Sequence, residues 1–340
     1  MSDTRADLAA AFLAATGWGA AHRVNIAGDA SNRRYDRLRD ADGGTAVLMD
    51  APPAKGESVR PFVRITHALR DLGLSAPQVL AEDDDHGFLL LEDLGDDLFA
   101  KVVQAKPALE QPLYEAAVDL LVHLHTAPPP SLPPYDAATA TPLAALAFDW
   151  YLPGATGTPD PGAKAAFDSA CHAVLAPLDP ALDVLIQRDY HAENLLWLPD
   201  RTGVARVGLL DYQDAMRGHR AYDLMSILQD ARRDVPPALA VAMVRRYVTT
   251  TGADADAFGA AFACLGMQRN MRILGVFARL SMAYGKPHYV DLIPRVWGHL
   301  ITALAHPALA TVAPLITDHL PAPDPAVLAS LKDKCGSVTL

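Results

Sequence analysis

Between residues 22 and 53 the chain runs in short apolar bursts broken by Gly, Asp and Asn, HRVNIAGDASNRRYDRLRDADGGTAVLMDAPP. That texture predicts three antiparallel strands joined by tight turns, the last at Asp42-Gly43-Gly44. Ahead of it, MSDTRADLAAAFLAATGW has the spacing of an amphipathic helix capped by Ser2 or Asp3. A helix from about Val59 to Leu72 follows, then PQVLAEDDDHGFLLLEDLGDDLF, a hairpin whose acidic turn leads into a buried strand. One helix set into a small antiparallel sheet is an α+β layer arrangement, and it closes near Glu92.

From Lys101 the apolar spacing turns helical. LYEAAVDLLVHLHT sets Leu113, Ala117, Leu120, Leu121 and Leu124 in one stripe, and PPPSLPPY ends it. Helices are predicted over 142–151 and 163–176, separated by PGATGTPDPG, a stretch irregular enough for a mobile lid or a plain surface loop. RVGLLDY reads as a short strand, and nearly everything beyond Tyr222 as helix. Domain boundaries are therefore expected at 1–93 and 94–340.

One stretch breaks the pattern. LIQRDYHAENLLWL, residues 185–198, places Arg188, Asp189, His191, Glu193 and Asn194 between apolar runs suited to a buried strand pair. Asp189 and Asn194 stand in a D-x4-N spacing, and Asp211 follows Asn194 by 17 residues at the end of a predicted strand. Two carboxylates and an amide converging on one point would suit a hard divalent cation such as Mg2+ that keeps waters and completes its shell with phosphates. Polar groups in such a place are tolerated when ligand and metal satisfy them.

Composition narrows the partners. With 340 residues, 51% of them hydrophobic, the chain can bury one large or two ordinary cores. A net charge of -11 speaks against nucleic acid or an anionic membrane as partner, though not against an anionic cofactor held by local cations and a metal. Cys171, Cys264 and Cys335 fit neither a disulfide framework nor a zinc spacing, and the N-terminal segment is acidic where a secretion signal would be basic. Val296–Thr317 carries no formal charge, but Pro307, Pro314, His299 and His306 interrupt it, which predicts two buried helices rather than a membrane span. A cytoplasmic location is expected.

RDYHAENLLW together with GLLDYQDAMRGHRAYDLMSIL resembles the catalytic and metal-binding segments of the aminoglycoside phosphotransferase family, which is protein-kinase-like in fold. The organisation agrees over almost the whole chain, and GDASNRRYDRLR, AVLMDAPP, GFLLLEDLGD and YDLMSILQDARRDVP are most similar to the bacterial kinases of that family that phosphorylate the anomeric hydroxyl of N-acetylmuramate and N-acetylglucosamine. The resemblance implies a two-lobed α+β fold, with a small antiparallel-sheet N-terminal lobe covering ATP and a larger, mainly helical C-terminal lobe. It implies that Asp189 orients the acceptor hydroxyl and takes its proton, and that Asn194 and Asp211 hold Mg2+ against the phosphates. Ser31 and Asn32 of the AGDASNRR turn would meet the phosphates, and the hinge near Glu92 and Leu94 would meet the adenine edge.

The resemblance has a gap. Kinases carry a phosphate-contacting Lys on the third strand, whereas AVLMD has Met49 there with Asp50 beside it. Arg34 is the first candidate to replace it, with Arg33 and Lys55 behind. The same gap keeps a nucleotide-binding scaffold without turnover as an alternative, beside kinases of other small alcohols: aminoglycosides, choline or homoserine-like compounds. Among the remaining polar residues, Asp214 suits a hydrogen bond behind the metal ligands, and Asp223 suits a brace of the loop through Arg188 or backbone N–H groups. His191 suits a packing role within the loop. For the acceptor sugar, Asp149 and Trp150 offer a polar and an aromatic contact, and Arg269 or Arg272 a cation for an acceptor carboxylate.

Overall fold

The computed structural model describes residues 4–27 and 32–338. In chain order its strands are β1 (His22–Ala27), β2 (Arg34–Arg39), β3 (Thr45–Asp50), β4 (Val79–Asp83), β5 (Phe88–Glu92), β6 (Leu182–Ile186), β7 (Leu195–Trp197), β8 (Val207–Leu209) and β9 (Met216–His219). Its helices are α1 (Arg5–Ala15), α2 (Arg60–Asp71), α3 (Phe99–Ala105), α4 (Glu110–Leu124), α5 (Ala137–Ala144), α6 (Leu152–Thr156), α7 (Pro161–Leu175), α8 (Ala221–Leu228), α9 (Pro237–Thr251), α10 (Ala255–Met282), α11 (Ile293–Leu304), α12 (Ala313–Thr317) and α13 (Pro325–Asp333). They fall into two compact units, one of residues up to Leu120 with Glu193–Ala215, the other of Leu121–Ala192 with residues from Met216 onward.

The first unit is built on an antiparallel sheet of order β1-β2-β3-β5-β4. The cap of α1 is Thr4, not Ser2 or Asp3, which lie outside the described residues: Thr4 Oγ1 accepts from Asp7 N at 3.3 Å while the Asp7 carboxylate accepts from Thr4 N at 3.0 Å. Three residues on from Ser2 and Asp3 stand Arg5 and Ala6, neither able to return that bond, so the box closes on Thr4 and Asp7. Ala9, Phe12 and Leu13 then share one helix face and bury against Leu38, Ala46, Leu48, Phe88 and Leu90. The Phe12 and Phe88 rings stack at 5.7 Å, and burying a side chain of that size contributes about 1.5–3 kcal/mol.

The ladder sorts the side chains into two faces, because directly paired residues point the same way. Arg34 pairs with Asp50, Asp36 with Leu48 and Leu38 with Ala46, and all of these lie on the face that α1 covers. Tyr35, Arg37, Val47, Met49, Leu89 and Leu91 point to the other face.

The second unit is mainly helical. The two apolar runs flanking the polar stretch do not pair with each other, as the pattern suggested: β6 pairs with β9 in this unit, and β7 pairs with β8 in the first. Residues 153–162 are not one irregular stretch: they carry most of α6 and the start of α7. Pro153 and Pro161 stand in the first turns of α6 and α7, where proline starts a helix, and Asp160 caps α7 through Ala163 N at 2.9 Å. Gly154 lies so close to α13 that a Cβ would sit 2.4 Å from Leu331, and its carbonyl accepts from Ser330 Oγ and Lys334 Nζ. Val296–Thr317 divides between α11 and α12 around a 3-10 turn at Pro307–Leu309. Among the described residues no helix is long and apolar enough to cross a membrane.

Candidate active site

In the second unit β6 leads through buried Gln187 to Arg188, whose φ of +73° is a left-handed conformation that non-glycine residues rarely take. The fully buried Asp223 carboxylate holds it there: Oδ2 accepts from Gln187 N at 2.6 Å and Oδ1 from Arg188 N at 3.0 Å. Burial pushes the Asp223 carboxyl up to about 7, against the two backbone hydrogen bonds that favour its anion. At the far end of the loop Asp230 Oδ2 accepts from Ala192 N at 3.3 Å, and Arg232 Nη1 donates to His191 Nε2 at 3.3 Å. Burial pulls His191 down to about 4, so the ring is neutral near pH 7. Half-buried Asp189 stands between these anchors. Its charge acts on His191, Asp223 and Arg272.

In the first unit Asn194 and Asp211 converge. Asn194 O accepts from Leu210 N at 2.9 Å, linking the residues that precede β7 and follow β8, and the Asn194 amide Nδ2 lies 3.5 Å from Asp211 Oδ2. Asp211 is exposed, with φ +56°, and Gln213 Nε2 donates to its Oδ1 at 2.7 Å. The Gln213 side chain, buried among its neighbours, had escaped the sequence reading; it contacts Asp214 only at 3.5 Å. Tyr212 anchors the turn, stacking on Phe62 of α2 at 5.0 Å with its hydroxyl 2.6 Å from Thr66 Oγ1. Mg2+ takes oxygen ligands, so this pair would hold such an ion once the Asn194 amide, whose Nδ2 now faces Asp211, turns its Oδ1 inward. Among the described residues no three His, Cys, Asp or Glu side chains gather to hold a metal by themselves, so waters and phosphates would complete the shell.

The nucleotide candidates separate. Ser31 lies outside the described residues. Asn32 is exposed and donates to Lys55 O at 3.4 Å. Arg34, expected to face the phosphates, is on the α1 face, 61% exposed and paired with Asp36 at 3.0 Å. Met49 is wholly buried, and Asp50 pairs with Arg5. The backbone N–H of Glu92 is spent on Gln78 O at 2.8 Å and its carboxylate on Arg201, Gln78 N and Arg70, so Glu92 braces the segment and offers no free N–H to a base edge. Leu94 is half-buried over Gly208 of β8. Val24 pairs with Arg37, which puts its half-exposed side chain on the face away from α1, an apolar surface the sequence reading passed over.

The acceptor candidates separate too. Asp149 sits on a π-helical turn (Ala147–Tyr151) and pairs with Lys164 of α7 at 2.7 Å, and half-buried Trp150 follows it. Arg269 is buried, at 4% exposed, and its charge acts on His191, Asp223 and His299. Arg272, nearly one turn later, stands beside Tyr135, Tyr222 and Asp189.

The family model described as "Phosphotransferase enzyme family" matches residues 22–258. The chain belongs to the phosphotransferase enzyme family. This phosphotransferase is 38% identical to the N-acetylmuramate/N-acetylglucosamine kinase of Caulobacter vibrioides over 94% of its own length and 98% of that protein's. It is 34% identical to the protein of the same name from Pseudomonas aeruginosa, over 90% and 91%. Its fold is α+β and protein-kinase-like. The solved choline/ethanolamine kinase family protein from Mesorhizobium loti superposes with a TM-score of 0.58 at 14% identity, covering 97% of this phosphotransferase and 100% of that chain. The choline kinase LicA from Streptococcus pneumoniae gives 0.60 at 12% identity, covering 87% and 98%.

Proposed function

We propose that this phosphotransferase moves the γ-phosphoryl group of ATP to the anomeric hydroxyl of N-acetylmuramate and N-acetylglucosamine, in the recycling of cell-wall sugars in the cytoplasm. The 38% identity to a kinase of that name, over nearly the full length of both chains, carries the reading. Residues 1–93 would cover the nucleotide, and residues 94–340 would supply the catalytic loop, the metal ligands and the acceptor site.

Asp189 is the proposed base: it accepts the hydroxyl proton as the sugar oxygen bonds to the γ-phosphorus and the bond from that phosphorus to the β-phosphate oxygen breaks, releasing ADP. An anomeric hydroxyl is more acidic than an ordinary alcohol, so a carboxylate of ordinary strength suffices. Asn194 and Asp211 would hold Mg2+, which supplies charge neutralisation at the phosphates when bound. Arg272, beside Asp189, is the proposed partner for the carboxylate of N-acetylmuramate. Alignment and electrostatics provide most of the acceleration in this chemistry.

Met49 in place of the usual Lys favours one other reading, a nucleotide-binding scaffold without turnover. A transfer screen of N-acetylmuramate, N-acetylglucosamine, aminoglycosides and choline, with NMR location of the phosphate, separates them. A sugar 1-phosphate is expected; nucleotide binding with no transfer selects the scaffold, and phosphorylation of choline or an aminoglycoside alone overturns the acceptor assignment.

A further inference from the structure

We infer that Arg33, held in place by Glu57, is the phosphate-facing cation that β3 lacks. The inference rests on the nucleotide reading above and assigns one contact within it.

Arg33 immediately precedes β2, and its Nε lies 2.9 Å from Glu57 Oε2. Both side chains are mostly buried, at 12% and 14% exposed, so the pair is shielded from the screening that weakens surface ion pairs. Glu57 lies in the segment between the Pro53–Lys55 3-10 turn and α2, where Gly56 takes φ +80° to turn the chain. Asn32, donating to Lys55 O, ties the same two segments together one residue away. An Arg from the start of β2 and a Glu ahead of α2 thus reproduce, from different positions, the cation and acid that kinases take from the third strand and the following helix.

Face and neighbours separate Arg33 from its competitors. Tyr35, directly paired with Met49, points away from α1, and it lies among Arg33, Glu57 and Asp211, whose charges all act on its hydroxyl. Arg33 therefore belongs to the cluster that contains a proposed metal ligand. Arg34 points to the α1 face and pairs with Asp36, and Lys55 is exposed on the turn. A guanidinium also suits the task, since its fork meets two phosphate oxygens at once while a further N–H stays with the carboxylate.

The test is calorimetric titration of the full chain with Mg-ADP and, separately, with adenosine, which has the base and ribose but no phosphate. Arg33→Ala is expected to weaken ADP about ten- to hundredfold, the range for a charged hydrogen-bond partner, and to leave adenosine unchanged. Arg33→Lys recovers part of the loss by restoring the charge without the fork, and Glu57→Gln, which loosens the arginine, loses less than Arg33→Ala. Arg34→Ala binds ADP as wild type does. Wild-type ADP affinity in Arg33→Ala, parallel losses of ADP and adenosine, or a loss in Arg34→Ala instead overturns the assignment. The acceptor reading fails separately, if a chain that binds ADP phosphorylates no sugar; a wild-type chain that binds no ADP removes both.

Discussion

The buried carboxylate of Asp223 holds the backbone of Arg188 in a left-handed conformation through two N–H bonds, one from Gln187 and one from Arg188 itself. Asp223 is in the first turn of α8, yet it caps the loop before Asp189 rather than its own helix. Both oxygens accept, so Asp223→Asn turns an amide NH2 toward a backbone N–H whichever way it is oriented. The substitution is expected to cost about 1–3 kcal/mol of stability, the penalty for leaving a buried N–H without an acceptor. It should also lower kcat up to about a hundredfold by shifting Asp189, since misplacements of about 1 Å have that effect. Thermal unfolding and steady-state rates check both; an unchanged kcat would show that Arg188 keeps its conformation without the brace.

Asp189 and Asp211 are expected to fail differently. Asp189→Ala removes the proposed base and should lower kcat by about a hundredfold or more, the usual contribution of general-base catalysis, while nucleotide affinity stays near wild type. Asp211→Ala should instead weaken nucleotide binding in Mg2+ and erase the difference between Mg2+ and EDTA. Retained turnover in the first variant, or unchanged metal-dependent affinity in the second, contradicts the respective role.

The candidate residues were legible in the sequence because their spacing is local. D-x4-N sets Asp189 and Asn194 in one short stretch and Asp211 follows an apolar run, so residue identity and separation alone singled them out. What escaped depended on tertiary pairing. Arg33 and Arg34 are neighbours, but a one-residue change of register moves a side chain to the opposite face, and only the seating of α1 on the sheet tells which face is covered. The MRGH sequence of β9 has no strand alternation of its own and is a strand because β6 pairs with it. Gln213 gave no signal beyond standing two residues after Asp211, and the proline-rich 153–162 segment looked irregular because prolines that start helices resemble those that end them.

Stability should fall as pH drops below the ordinary histidine range. Burial pulls His125 down to about 3 and His191 and His219 down to about 4, from an unfolded value of 6.5. Between those values the unfolded chain binds protons that the folded chain refuses, so stability is fully present above about 6.5 and is lost as pH falls toward 4. Each histidine withdraws on the order of 2–3 kcal/mol over that window. Asp223 and Asp168, raised by burial, take up protons in the folded state and offset part of the loss. Denaturation midpoints at pH 7.5 and pH 5 measure the balance, and a midpoint that holds or rises at pH 5 would mean that the aspartates outweigh the histidines.

Gly275 and Gly259 lie on the same helix, α10, and should respond to alanine with opposite signs. A Cβ at Gly275 would fall 2.2 Å from the carbonyl carbon of Leu146 and 2.4 Å from its oxygen, just before the π-helical turn, so backbone must move to admit it. At Gly259 no atom lies within 4 Å of the added methyl. Helix propensity alone favours alanine by about 1 kcal/mol at either position, and Gly259→Ala should show that gain. Gly275→Ala should instead lose about 1–3 kcal/mol or more, because overpacking against backbone exceeds the propensity gain. Chemical denaturation of the two variants decides the matter: stabilisation at both sites would show that α10 does not press on Leu146 as closely as the contact requires.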